Sequence, residues 1–126
     1  MTERSADWLA QAEDDLAVAR QLREGKWWAA ACFHAHEAAE KALKAVYQRR
    51  GAKALGHSLK SLASALRDPP AEVVEQAAYL ARFYIASRYP DAFDSGTPRD
   101  HLFEEDADRA ITAADRILAW SRDHLA

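Results

Sequence analysis

The chemistry in this sequence gathers in one window, His34-Ala35-His36-Glu37-Ala38-Ala39-Glu40-Lys41-Ala42-Leu43-Lys44, with His57, Arg82, Arg88, Tyr89 and Arg99 further along. Imidazoles beside carboxylates raise the question of a metal. On a helix, His36 and Glu40 share one face, while His34 and Glu37 share another that is nearly opposite, so one ion cannot collect all four. A dimetal bundle would need Glu-x-x-His motifs projecting inward from facing helices, and the sequence contains none. Metal binding is therefore not expected, and no cofactor is implied. Ion pairing is the simpler reading. Glu37 with Lys41, and Glu40 with Lys44, are Glu-before-Lys pairs at four-residue spacing, which stabilise an exposed helix by about 0.2–0.5 kcal/mol each. A solvated face is the ordinary use of such charges.

His57 stands just before a short apolar segment, where it can cap a helix, stack on tyrosine or contact a ligand. One histidine without a placed partner specifies no chemistry. Cys32 and Ser58 lack a neighbouring base, and Cys32 falls on an apolar seam, the setting of an inert thiol. Arg82, Arg88 and Arg99, interleaved with Tyr84 and Tyr89, combine guanidinium forks that suit phosphate with rings that stack on bases. The competing use of Arg88 is to tie a loop to the carbonyls at a helix end. Trp27 and Trp28 are adjacent and cannot both face one core, which makes one of them an interface anchor.

Helices must position these groups. Leu9, Ala12, Leu16, Ala19 and Leu22 recur at steps of three and four, predicting a helix from about Ser5 to Glu24 with Gly25 as its stop. Trp28, Cys32, Ala35, Ala39, Ala42 and Val46 form a bundle-like seam in a helix from about Trp27 to Arg50, about 36 Å long and ended by Gly51. Three alanines on that seam allow a neighbouring backbone to come close. A short helix follows from about Ser58 to Arg67, with Leu59, Leu62 and Leu66 on one face. Asp68-Pro69-Pro70 separates it from a fourth helix that should stop near Arg88, because Pro90 disfavours helical geometry at Tyr89. Val73, Ala77, Leu80 and Tyr84 form its inner stripe, with Val74, Ala78, Ala81 and Ile85 beside it. Pro90 to His101 reads as the longest loop. Ala107, Ile111, Ala114, Leu118 and Ser121 mark a last helix from about Phe103 to His124. The expected fold class is all-α, an antiparallel up-and-down four-helix bundle with an additional short helix.

The bulk numbers agree. A chain of 126 residues with 49% hydrophobic and 29% charged content fits one domain, 1–126, with a full core and a soluble coat. A formal net charge of -3 argues against a global electrostatic pull toward nucleic acid, though not against a local basic patch. The longest apolar run, Trp27 to Phe33, is far short of the ~20 residues of a membrane span, and the first residues lack the apolar core of a signal peptide. A single cysteine excludes an intrachain disulfide. These features predict a cytoplasmic protein with no membrane role.

The segments AEDDLAVARQLREGKWWAAACFHAHEAAEKALKAVYQRRG, GHSLKSLASAL and YIASRYPDAF occur in this order. Together they resemble a HEPN domain of the small prokaryotic type. The most specific pieces are Ala39-Glu40-Lys41-Ala42-Leu43-Lys44, His57-Ser58-Leu59 and Arg88-Tyr89-Pro90. The resemblance implies a helical bundle that commonly forms homodimers and is often paired with a minimal nucleotidyltransferase in systems of toxin–antitoxin type. Nucleotide or RNA interaction is its general theme. It places Arg88 and Tyr89, with His57, Glu40 and Lys41, around a dimer or ligand cleft. Many members are ribonucleases that carry an arginine, four to six intervening residues and a histidine. Here Phe93, Asp94 and Ser95 stand where the histidine would fall, and His101 lies too far along. Arg50 and His57 meet the literal spacing, but they follow the second helix instead of the fourth, and that match is coincidental. The sequence thus points to a binding module rather than an enzyme. A divergent ribonuclease toxin and a purely structural helical adaptor are the alternatives.

Overall fold

The computed structural model describes residues 3–54, 56, 58–67 and 69–125, and no strand occurs among them. Helix α1 (Ser5–Glu24) buries Ala12, Leu16 and Ala19 at steps of four and three. It ends at Gly25 as expected, with a turn of its own kind. Gly25 keeps a negative φ of -80°, and the left-handed residue is Lys26, at φ 66°. Space at 25 is tight: a Cβ there would lie 3.1 Å from the Trp27 ring. The reversal turns Trp27 outward, 51% exposed, while Trp28 packs partly buried against the core.

Helix α2 (Trp28–Arg49) is the centre of the molecule, packed against α1 and every later α-helix. Ala31, Ala35, Ala38, Ala39, Ala42 and Ala45 are all fully buried, so neighbouring backbones close in around it. The predicted seam is intact, and Gly51, at φ 66°, ends the helix in the left-handed turn that favours glycine. Because Ala39 is 0% exposed, Ala39→Leu should overpack the seam and destabilise the fold by about 1–3 kcal/mol. An unchanged urea midpoint would show that the contact is loose.

Helix α3 (Leu59–Ser64) is shorter than the pattern of leucines implies. Ser58 caps it, its hydroxyl oxygen accepting from the Ser61 amide at 3.4 Å, and Leu59, Leu62 and Leu66 are all buried. Helix α4 (Ala71–Ala81) starts after Pro70 and buries Val73, Ala77 and Leu80. The expected continuous run to Arg88 is broken at Arg82, and a one-turn helix, α5 (Phe83–Ala86), follows. Side chains take up carbonyls released at the break and at the end of α5: Arg82 Nε donates to Tyr79 O at 3.0 Å and Arg88 Nε to Tyr84 O at 2.8 Å.

The stretch after Pro90, expected as a loop, is ordered. Pro90–Ala92 forms a 3₁₀ turn, and α6 (Pro98–His101) is a single helical turn. Thr97 opens α6 with a capping box in which its amide donates to Asp100 Oδ2 at 2.9 Å. Helix α7 (Glu104–Asp123) closes the bundle, burying Ala107, Ala114, Leu118 and Ser121 against α2, α4 and α1. The buried apolar residues of all the long helices form one cluster. The result is an all-α up-and-down bundle. Among the described residues no helix is long and apolar enough to cross a membrane.

Candidate functional site

Arg88 lies beyond the break at Arg82, two residues after the end of α5, and α5 packs on α2. There the Arg88 guanidinium is surrounded by rings: its carbon lies 4.4 Å from the Tyr84 centroid, 4.8 Å from Phe33 and 4.9 Å from Tyr89. The helix-end role of Arg88 is met, since Nε caps the Tyr84 carbonyl. Among the described residues no carboxylate lies within ion-pair distance of its terminal nitrogens, so the rest of the fork is uncommitted. Tyr89 is 47% exposed and forms the outer edge of this aromatic collar.

Beneath it lies His36, 1% exposed, its ring 5.2 Å from Tyr84. His36 Nδ1 is 3.4 Å from Glu37 Oε1. The hydrogen bond to His36 holds the Glu37 carboxyl below the usual carboxylate range, helped by Lys41 and Arg88 and opposed by burial. His36, Ser58, Tyr84 and Ile85 line a pocket of about 310 Å3 with Leu59 and Ala81. A larger pocket, about 630 Å3, opens at the other end of α2 between Trp8, Lys44 and Lys53. Its size does not make it the better candidate, because none of the arginine–tyrosine cluster reaches it.

Glu40 and Lys41 lie along α2 toward that second pocket and join ion pairs. Lys44 Nζ is 3.0 Å from Glu40 Oε2, with side chains only 13% and 7% exposed. Lys41 bonds Asp15 of α1 and stands 3.9 Å from Glu37. The predicted pairs exist, but the expectation that they are solvated is wrong, because α1 packs along this face of α2. The separation of His36 from Glu37 on opposite faces also fails. Long carboxylate arms let donor atoms of His36, Glu37 and Glu40 come within 4.8 Å of one another. His34 stays apart, its ring against Phe33. Lysines already engage both carboxylates of that set. Cys32 is buried, and burial pushes its thiol up to about 12, which keeps it protonated and unreactive. His57 lies outside the described residues.

The sequence matches the HEPN domain family over residues 5–124, nearly the whole chain. The chain belongs to that family. Among solved structures it is similar to a Thermus thermophilus protein, at 38% identity and TM-score 0.94, with 98% of this chain and 100% of that one covered. It is likewise similar to a protein described as an archaeal HEPN homologue, at 39% identity and TM-score 0.87, covering 99% and 100%. A HEPN domain protein from Thermotoga maritima aligns at 33% identity and TM-score 0.72, covering 93% and 95%. No curated protein matches the chain.

In this HEPN bundle the first histidine after Arg88 is His101, and its surroundings are local. Its ring stacks on Phe93 at 4.1 Å, and Nε2 is 2.6 Å from Ser95 O. Tyr84 and Tyr89 were read beside Arg88 from the sequence; the residues that sequence reasoning missed are Phe33 and Glu37 as companions of Arg88, and His36 as part of the same cluster. The only available signal was the spacing of Phe33, His36 and Glu37 on neighbouring faces of one helix, which does not reveal that α5 folds over them.

Proposed function

We propose that this HEPN domain is a homodimeric binding module that holds a phosphate of a nucleotide or RNA in the cleft around Arg88. Its partner in the cell would be a minimal nucleotidyltransferase, in a system of toxin–antitoxin type. The observation that carries the binding half is the ring-bracketed guanidinium, with terminal nitrogens unpaired among the described residues beside an exposed tyrosine. Guanidinium grips phosphate through paired N–H groups, and rings accept stacked bases.

The dimer half is supported by the second stripe of the fourth helical run. Val74, Ala78 and Ala81 are only partly covered, and Ile85 is 47% exposed. This apolar face runs into the Arg88 cleft, so a second copy placed on it would border the ligand. Obligate interfaces of this kind usually bury more than ~2,000 Å² in total. Light scattering at micromolar concentration should therefore give twice the chain mass. Nucleoside phosphates or short RNA should raise the melting temperature, since a ligand that binds only the folded state stabilises it. A monomer at that concentration contradicts the dimer, and a melting temperature indifferent to every nucleotide contradicts the binding.

A further inference from the structure

The pocket beside Arg88 contains a buried histidine whose tautomer is set by its neighbour. Glu37 is the only group bonded to His36 Nδ1 among the described residues, and a carboxylate can only accept. Nδ1 must therefore carry the proton, and in the neutral ring Nε2 is left as a bare acceptor. No described residue donates to that Nε2, although the ring is 1% exposed and lines the 310 Å3 pocket. Such a volume is at the small end of ligand pockets, suited to one base rather than a whole large cofactor. Ser58 stands on the same wall. Its oxygen accepts from the Ser61 amide, so its hydroxyl proton remains available to donate. Tyr84 joins the two parts of the cleft, facing His36 at 5.2 Å and Arg88 at 4.4 Å.

We infer that His36 reads the base of the bound nucleotide, selecting one that presents an exocyclic amine, adenine or cytosine, over one that presents a carbonyl there. This rests on the reading that Arg88 holds the phosphate. An amine donates into the Nε2 lone pair, and the adjoining ring nitrogen of adenine or cytosine can accept from a hydroxyl such as that of Ser58. A carbonyl at the same place sets two lone pairs against each other on a ring that is itself 1% exposed. Glu37 is the positioning residue, because it acts only through the imidazole.

The test is calorimetric titration of the whole chain at about pH 8. AMP, IMP, CMP and UMP are the ligands. AMP should bind at least about tenfold tighter than IMP, and CMP similarly tighter than UMP. Glu37→Gln replaces an obligate acceptor with an amide that can donate or accept, so the tautomer is no longer fixed. The AMP-to-IMP ratio should then fall below about threefold while binding persists. His36→Phe should abolish the preference, and circular dichroism reports whether that core variant folds. If it does not fold, the partly exposed Glu37→Gln still decides. Preference for a terminal adenosine over uridine in short oligoribonucleotides would support the same assignment with an RNA end as the source. Equal affinity of the unmutated protein for AMP and IMP overturns the assignment and leaves Arg88 as a phosphate site. Failure of every nucleotide to bind removes both.

Discussion

Glu40→Ala should lower the unfolding free energy by about 3 kcal/mol, the low end of the cost of stripping one partner from a buried ion pair. Both side chains are mostly covered, Glu40 at 7% and Lys44 at 13% exposure, with 3.0 Å between the charged atoms. Removing the carboxylate takes an ion-pair partner away from an ammonium group in a crevice where water reaches it poorly. The nearby Trp8 ring, 5.8 Å from Lys44 Nζ, compensates only in part. The pair as a whole is a different matter, since two charges also cost desolvation. Glu40→Gln combined with Lys44→Met should therefore recover to within about 1 kcal/mol of the unmutated protein. Urea denaturation of the single and double variants separates the cases. A single-variant loss below about 0.5 kcal/mol would mean that the pair behaves like an exposed one.

The second large effect is on binding. Arg88→Lys should weaken nucleotide or RNA affinity more than tenfold, about 1.4 kcal/mol, while fold and dimer persist. Lysine can still place a charge near the Tyr84 carbonyl, which preserves the helix end. It cannot lie flat between Phe33, Tyr84 and Tyr89 while offering two parallel N–H groups to a phosphate. A cap alone would make the two residues nearly interchangeable. Equal affinity of both proteins therefore reduces Arg88 to a helix terminator, and a parallel loss of melting temperature and binding assigns it to the core.

Helix existence was legible in the sequence because the apolar period is unbroken in α1, α2 and α7, and each predicted stripe is buried in its middle. The break at Arg82 was not legible. The apolar pattern of Ala77, Leu80 and Tyr84 continues straight through it, and only side chain–carbonyl bonds made in three dimensions mark it. The ordered turn at α6 was present in the sequence as Thr97-Pro98-Arg99-Asp100, a capping box with proline at the first helical position, masked by flanking glycine and proline. Lys26 shows the opposite case. The helix stops at Gly25 as its sequence indicates, yet the lysine takes the positive φ, and a Cβ on that glycine would stand 3.1 Å from the Trp27 ring.

Of the site, Arg88 and Tyr89 were visible as types and spacing, and the structure brings them together. Glu40 and Lys41 were read as solvated pairs because helical periodicity records one helix at a time. It does not record that α1 packs along that face, bringing Trp8 and Asp15 to it. The grouping of His36, Glu37 and Tyr84 depends on a tertiary contact between α2 and α5, for which one sequence carries no signal.

The proposed site of the phosphate-bearing ligand is the Arg88 cleft rather than the larger pocket at Trp8. Chemical-shift mapping of the isotope-labelled protein during titration with AMP tests it directly. Perturbations should centre on Phe33, His36, Tyr84, Arg88 and Tyr89, with Trp8 and Lys53 unmoved. Shifts confined to Trp8, Lys44 and Lys53, or no shifts at saturating nucleotide, would contradict it.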